Sequence, residues 1–275
     1  MKEFFAIPNN DQFDRINVTL TATSGRCSIL PSPHRDILNI YGQEDQKTYQ
    51  PNFQSEIVGR IQHVNFDVSN SQDAGMGKAL SSRILGNEVC KNNNWNIFLS
   101  DSKPLSLNLN YAVGEADVNL SGLPVENLKI NTGNANVRIG YHENIYNPVS
   151  MDSLYVKVDM GSLHLQQINL TKAKMIFAEV GFGKLYLDFS NPHIICSSNV
   201  SARVGAGSME IYLAKKELPI MIKLNNSPLC HVKIPKSFKK INKNTYANSK
   251  YKPGADHTII FDLEVTMGHI SFHYQ

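Results

Sequence analysis

Carboxylates that could catalyse glycoside hydrolysis recur along the sequence. They are Glu115, Asp117, Asp159, Glu179 and Glu210, with Lys184 among them. Two carboxylates held about 5–9 Å apart can act as the acid and the base, or nucleophile, of this reaction. No fixed spacing pairs these residues, and most charged side chains belong to the solvated surface of a protein. We therefore expect an exposed face without catalytic residues, and a polysaccharide-active enzyme is the alternative.

Histidines and cysteines are the next candidates for chemistry. His269 and His273 are four residues apart, which on a strand places them about 13 Å apart. Such a distance is too long for one metal ion, whose nitrogen ligands lie within about 2.1 Å. No C-x-x-C pair occurs, so a zinc or redox motif is not indicated. We expect no metal and no cofactor, and four small buried cysteines, namely Cys27, Cys90, Cys196 and Cys230.

A basic segment stands out in a chain of net charge +3. Residues 233–252 hold no acid and seven lysines, which are Lys233, Lys236, Lys239, Lys240, Lys243, Lys250 and Lys252. The remainder has 20 basic and 24 acidic residues. Basic residues interleaved with aromatic ones can bind single-stranded nucleic acid or an anionic surface. Because the acidic remainder would repel nucleic acid, we expect this segment to bind a protein or an anionic surface polymer, or to be a solvated loop.

The elements that would carry these residues repeat along the chain. In each of seven copies, three apolar residues at alternate positions precede a small residue, and two more follow it. Alternation with period two indicates strands with one buried face. A fixed small residue between two strands indicates a corner. The predicted corners are Gly25, Ala116, Ala135, Gly161, Gly183, Gly207 and Gly268.

The spacing of the corners predicts the architecture. Successive corners from Ala116 are 19, 26, 22 and 24 residues apart, close to the range of about 20–50 residues of stacked repeats. One copy cannot bury its apolar face alone, so stacked copies must share a core. We predict an all-β fold, a single-stranded right-handed β-solenoid (β-helix) with rungs of about 19–26 residues. The 29 asparagines fit turns between the rungs, and a β-sandwich is the rival architecture.

The predicted organisation has two parts. Residues 1–94 form an N-terminal β-rich portion, interpreted as the first rungs of the same solenoid. Residues 95–275 form the repeat solenoid, with a basic loop at 233–258 and a closing rung at 259–275. Prolines at both ends of the basic segment favour a loop over a helix there.

Several short stretches resemble those of a known family. They are Trp95–Leu99, Pro104–Leu109, Val113–Ala116, Leu120–Leu123, Leu128–Gly133 and Asn147–Leu154. Together they resemble the bacterial toast-rack domain. The segment from Gly205 to the C-terminus resembles the C-terminal domain of bacterial cell-wall-antibiotic-response (envelope stress) proteins. The resemblance covers residues 95–275 well and residues 13–67 loosely. It implies a single-stranded β-helix of the bacterial envelope, and its motifs carry no information about chemistry.

The resemblance also implies a location and a role. Relatives often follow a signal peptide or a transmembrane segment, and they are linked to envelope stress sensing or to adhesin-like roles. This sequence has no apolar run of 18 residues, and its first residues lack a signal-peptide core. We expect a non-catalytic envelope or secreted module whose signal peptide was removed, with a cytoplasmic location left open. A structural assembly unit that oligomerises through exposed end rungs is a further alternative.

Overall fold

The computed structural model describes residues 2–275 except 44–50, 69–93, 143, 194–195, 216–217 and 226. Cys90 therefore lies outside the described residues. The described chain is all β apart from one 3₁₀ turn at Ile168–Thr171, so the predicted all-β class is confirmed. Its strands are β1 (Lys2–Ile7), β2 (Arg15–Pro31), β3 (Leu38–Gln43), β4 (Asn52–Val58), β5 (Ile61–Val68), β6 (Asn94–Leu99), β7 (Leu105–Asn119), β8 (Val125–Gly140), β9 (Met151–Gln166), β10 (Ala173–Phe189), β11 (Ser198–Leu213), β12 (Ile220–Leu224), β13 (Cys230–Lys233), β14 (Phe238–Asn242), β15 (Thr245–Asn248) and β16 (Ile259–Tyr274).

Seven long parallel strands form the centre of a mixed sheet. Their spatial order is β2-β7-β8-β9-β10-β11-β16. The register places like residues side by side, since Ile176 pairs with Leu154 on one neighbour and with Val200 on the other. Buried residues alternate with more exposed ones along each strand. The apolar columns therefore join into one continuous hydrophobic core.

The register also defines the column of corners. Gly25, Gly114, Ala135, Gly161, Gly183, Gly207 and Gly268 pair one after another across the seven strands. The predicted corner at Ala116 was wrong, because Gly114 occupies that position with φ +145°. Ala116 instead lies two residues later, in the core. Two small residues two positions apart keep the same face of a strand, so alternation alone could not distinguish these registers.

Asparagines join the turns between the long strands. The buried Asn147 donates from Nδ2 to the carbonyl oxygens of Val125, at 2.6 Å, and Thr171, at 3.1 Å. These two acceptors belong to the preceding and the following turn of the chain. Asn169 also donates from Nδ2 to two carbonyl oxygens, those of Asn191 at 2.8 Å and His193 at 3.0 Å, both in the following turn. The expected use of asparagine in turns is thus found at both positions.

Shorter strands cover β2 at the N-terminal end of the stack. β5 pairs in parallel with the first half of β2, and β6 pairs in parallel with its second half. β4 then adds to β5, β3 adds to β6 and β1 adds to β3, all antiparallel. The outermost strands at this end are therefore not copies of the long repeat.

The C-terminal end is covered in a similar way. β12 and β13 pair in parallel with the two halves of β16, and the β14–β15 hairpin adds to β12. Consequently β16, the predicted closing rung, lies inside the stack instead of at its end. The predicted loop at 233–258 contains the hairpin strands Phe238–Asn242 and Thr245–Asn248. Sequence order could not show that a late strand inserts between earlier ones.

Candidate ligand-binding surfaces

Side chains that follow the corners line up across the long strands. Because the strands pair in register, residues equally distant from the corner lie about 4.8 Å apart. We call this outward surface of the second strand halves the ladder face. It includes Arg26, Ser28, Glu115, Asp117, Asn136, Arg138, Ser162, His164, Lys184, Tyr186, Asp188, Glu210, Tyr212, Ser271 and His273.

Ion pairs balance charge on the N-terminal half of the ladder face. Arg26 donates from Nε and Nη2 to Oε2 of Glu115, at 2.9 and 2.5 Å. Arg138 Nη1 lies 3.6 Å from Oδ2 of Asp117. Exposed pairs of this kind contribute little to stability, so the fold does not depend on them. They leave the surface polar but locally close to neutral.

Stacked rings occupy the other half of the ladder face. The rings of His164 and Tyr186 stack with centroids 4.1 Å apart, and those of Tyr212 and His273 with centroids 4.8 Å apart. The Tyr212 hydroxyl donates to Oε2 of Glu210 at 2.9 Å, and this hydrogen bond is the main cause of the raised pKa of Tyr212. Each pair therefore has its ring positions fixed by a neighbour on the adjacent strand.

The surroundings of His164 favour the neutral form of its imidazole. Burial, followed by the charge of Arg138, lowers the pKa of His164, although Glu210 opposes this effect. A neutral imidazole offers one hydrogen-bond donor and one acceptor. His164 can therefore serve a ligand group that both donates and accepts.

Three shallow depressions with shared lining residues lie along these groups. A depression of about 490 Å³ is lined by Arg26, Glu115, Asp117, Arg138 and His164 among others. It shares Arg26 with a second depression that reaches Tyr41, Asn94 and Asn96. It shares His164 with a third that reaches Tyr186, Asp188 and Tyr212. We call these three depressions, whose lining residues run from Tyr41 to Tyr212, the ladder groove.

The carboxylates singled out from the sequence do not form one column. Glu115, Asp117 and Glu210 lie on the ladder face together with Lys184. Asp159 and Glu179 lie before the corner, where Lys157 contacts them at 3.7 and 3.6 Å. Lys157 has a raised pKa because of Glu179 first and Asp159 second. The column of corners separates the two groups. Only the position of Glu115 depended on the register of β7, which the sequence did not specify.

Residues of the ladder groove that sequence reasoning missed are Arg26, Arg138, Tyr186 and Tyr212. Arg26 and Glu115 are 89 positions apart in the chain, so no local motif links them. The correct corner column was the available signal, because it aligns the outward residues one, three and five positions beyond it. Counting from Gly114 instead of Ala116 would have placed Glu115 beside Arg26.

The seven lysines of the basic segment lie at the C-terminal end of the sheet, and we call them the basic cap. All seven are exposed, and Lys239 and Lys240 lie on β14, the last strand of the sheet path. No ion pair among the described residues involves any of them. Phe238 points inward, with its ring 6.3 Å from that of Phe272. This aromatic residue therefore holds the hairpin on the core instead of facing a ligand.

Comparison with known families identifies the chain. Residues 2–161, more than half of the sequence, match the family described as the N-terminal domain of toast_rack, DUF2154. The chain belongs to the toast-rack family. The toast-rack resemblance of the stretches within residues 95–154 is therefore confirmed. The match also includes residues 13–67, where the resemblance was loose, and thus the toast-rack region contains Arg26, Glu115 and Arg138.

Two solved structures are similar to this toast-rack chain. A candidate cell adhesion protein from Clostridium sporogenes is 17% identical, with a TM-score of 0.50 over 100% of this chain and 99% of that chain. That likeness supports a shared fold. A candidate adhesin from Parabacteroides merdae is 11% identical over 100% and 95% of the two chains, and its TM-score of 0.28 carries no argument. No curated protein matches the toast-rack chain.

The described residues contain neither a membrane-crossing helix nor a cluster of metal ligands. No helix in that part of the toast-rack chain has the length and apolar character needed to cross a membrane. Within the same residues, no three His, Cys, Asp or Glu side chains come together as metal ligands would.

Proposed function

We propose that this toast-rack chain is a non-catalytic binding module of the bacterial cell envelope or of a secreted protein. Its scaffold, in this proposal, is a right-handed β-solenoid. Consecutive long strands that pair in parallel and in register support a coil with one turn per repeat. Parallel strands need a crossover connection, and such crossovers are right-handed in about 98% of cases.

An adhesin-like role has support from a structural neighbour. The Clostridium sporogenes protein is described as a candidate cell adhesion protein, and its chain is matched over 99% of its length. A surface role also suits a repeat fold, whose long faces can contact extended partners. We infer that this chain, too, acts at the cell surface by binding.

The basic cap is the observation that carries the proposal. Seven exposed lysines without a described acidic partner create a positive end on a chain whose remainder has more acidic than basic residues. Clustered lysines near a surface attract phosphate or carboxylate groups, and this attraction weakens with salt. We infer that the basic cap binds an anionic polymer of the cell surface.

The contacts of the carboxylates favour binding over catalysis. Glu115 and Asp117 are each paired with an arginine, and Asp159 and Glu179 both contact Lys157. A glycosidase instead needs one carboxylic acid that stays protonated and a second carboxylate facing the same bond. The polysaccharide-active alternative therefore lacks a favoured pair among these residues.

Binding to poly(glycerol phosphate) tests the role of the basic cap. We expect the protein to bind this polymer and not dextran, and to lose affinity as salt rises from about 50 to 200 mM. Lys239→Glu/Lys240→Glu should weaken binding at least tenfold. Lys129→Glu/Lys174→Glu, with the same charge change on the outer face of β8 and β10, should weaken it much less. Equal loss in both variants, or no binding by the unaltered protein, would contradict the proposal.

An assay for reaction products distinguishes a polysaccharide-active enzyme from a non-catalytic binding module. Long incubation with a soluble β-1,4-glucan should release no reducing ends. Release that disappears in Glu115→Gln would instead establish catalysis and overturn the non-catalytic role.

A further inference from the structure

The ladder groove is independent of the basic cap. It crosses β3, β6, β2 and β7 to β11, and none of the seven cap lysines lines it. Eight strands spaced about 4.8 Å apart give it a length of about 30 Å. A groove this long and open fits a linear chain better than a compact small molecule, whose pockets enclose most of its surface.

The charges in the groove favour a neutral ligand. Arg26 with Glu115 and Arg138 with Asp117 balance one another at the N-terminal half. Asp188 adds negative charge at the other end, and Lys184 and Glu210 lie on the ladder face without lining the groove. A polyanion would meet the carboxylates of Glu115, Asp117 and Asp188, so the basic cap and the ladder groove suit different ligands.

The polar groups match a ligand rich in hydroxyls. No hydrogen bond joins the Tyr186 hydroxyl to another described residue, so it remains available to a ligand. The neutral imidazole of His164 can donate to one hydroxyl and accept from another. Amides of Asn94, Asn96 and Asn136 supply further donors and acceptors along the same floor. A sugar hydroxyl both donates and accepts, and it satisfies such a mixed surface without carrying charge.

We propose that the ladder groove binds a neutral, extended polysaccharide chain, with Tyr186 and Tyr212 as the principal contacts at one end of the groove. The polysaccharide lies across the strands, so that successive sugar residues contact side chains of successive strands. The half-buried tyrosine rings supply apolar contact area at little conformational cost, as amphipathic aromatic side chains do in other binding sites. This site goes beyond the anionic-polymer contact of the basic cap and does not depend on it.

Calorimetric titration with cellohexaose and chitohexaose tests the site. We expect at least one of these neutral β-1,4-linked oligosaccharides to bind, with an affinity that changes less than twofold over the salt range used for the basic cap. Tyr186→Ala and Tyr212→Ala should each weaken binding at least tenfold. Tyr186→Phe keeps the ring and removes the hydroxyl, and it should cause a smaller loss.

Tyr155→Ala is the matched control. Tyr155 is a partly buried tyrosine on the neighbouring strand β9, but it lies before the corner, where its ring contacts Phe177. Its removal should leave the affinity unchanged within twofold. The proposal is overturned if neither hexasaccharide binds at millimolar concentration, or if Tyr155→Ala is as damaging as Tyr186→Ala.

The cap variant distinguishes this proposal from the proposed function. Lys239→Glu/Lys240→Glu should bind the hexasaccharide as the unaltered protein does, while its binding to poly(glycerol phosphate) falls. Loss of hexasaccharide binding in this variant would place the sugar at the basic cap and overturn the assignment to the groove. Thermal unfolding of every variant checks that the comparison is made between folded proteins.

Discussion

Gly183 lies directly against Gly161 on the neighbouring strand, so closely that a Cβ on Gly183 would overlap the Gly161 carbonyl oxygen. Gly183 also has φ +139°, a conformation that residues with a side chain rarely adopt. The same close approach recurs down the corner column, for example between Gly207 and Gly183. The spacing of the stack at its corners is therefore set by the absence of side chains.

Gly183→Ala should lower the free energy of unfolding by about 2–6 kcal/mol. Backbone strain and steric overlap each contribute about 1–3 kcal/mol, and the backbone carbonyl cannot move aside without disturbing the next strand. Urea unfolding followed by circular dichroism measures the change. Gly59→Ala is the control, because Gly59 has φ +63° but open space around its Cβ position. It should cost only about 1–2 kcal/mol, and an equal loss in the two variants would contradict the close-packing argument.

The repeat could be predicted from the sequence because each long strand buries one face. Alternation around Gly161, Gly183, Gly207 and Gly268 identified both the strands and their corners. It failed at Gly114, since a shift of two residues leaves every side chain on its original face. Only the pairing with Gly25 resolves that choice.

Contacts between distant segments could not be predicted from the sequence. Phe238 follows the first five residues of the basic segment, yet it is buried and forms part of a strand. Its environment comes from Phe272, which enters the stack more than 30 residues later. The ladder groove depended on the same kind of information, because Arg26 and Glu115 meet only through the pairing of β2 with β7. Local patterns therefore predicted the strands, and long-range register decided the site.

Asn147→Ala should lower the free energy of unfolding by about 2–4 kcal/mol. It leaves the buried carbonyl groups of Val125 and Thr171 without the Nδ2 donor, and each unpaired buried group costs about 1–3 kcal/mol. Asn147→Asp should be at least as damaging, because a carboxylate oxygen would face those carbonyl oxygens. Asn199→Ala, at an exposed position of β11, should change stability by less than about 0.5 kcal/mol. A similar effect at both positions in urea unfolding would count against the turn-bridging role.

Cys27 should be the slowest of the described cysteines to react with a maleimide. Burial raises the pKa of Cys27 to about 12, so its reactive thiolate is scarce at pH 8 and shielded from the reagent. Cys196 and Cys230 are only partly buried. Peptide mapping after timed labelling should show Cys230 modified first and Cys27 modified only in denaturant. Labelling of Cys27 in the folded protein at the rate of Cys230 would contradict its position in the core.

Edge lysines should also keep the protein from associating through β14. Among the described strands, β14 pairs only with β15, so its outer edge is open, and it carries the exposed Ile241 beside Lys239 and Lys240. Lysines on edge strands disfavour pairing with another chain. Lys239→Thr/Lys240→Thr should therefore form dimers or larger species at about 10–100 µM, whereas Lys239→Glu/Lys240→Glu should remain monomeric because its edges repel. Light scattering over this range measures the difference. Assembly of the unaltered protein, with a monomeric glutamate variant, would contradict this prediction. The lysines would then promote contact between chains, and that result would support the assembly-unit alternative.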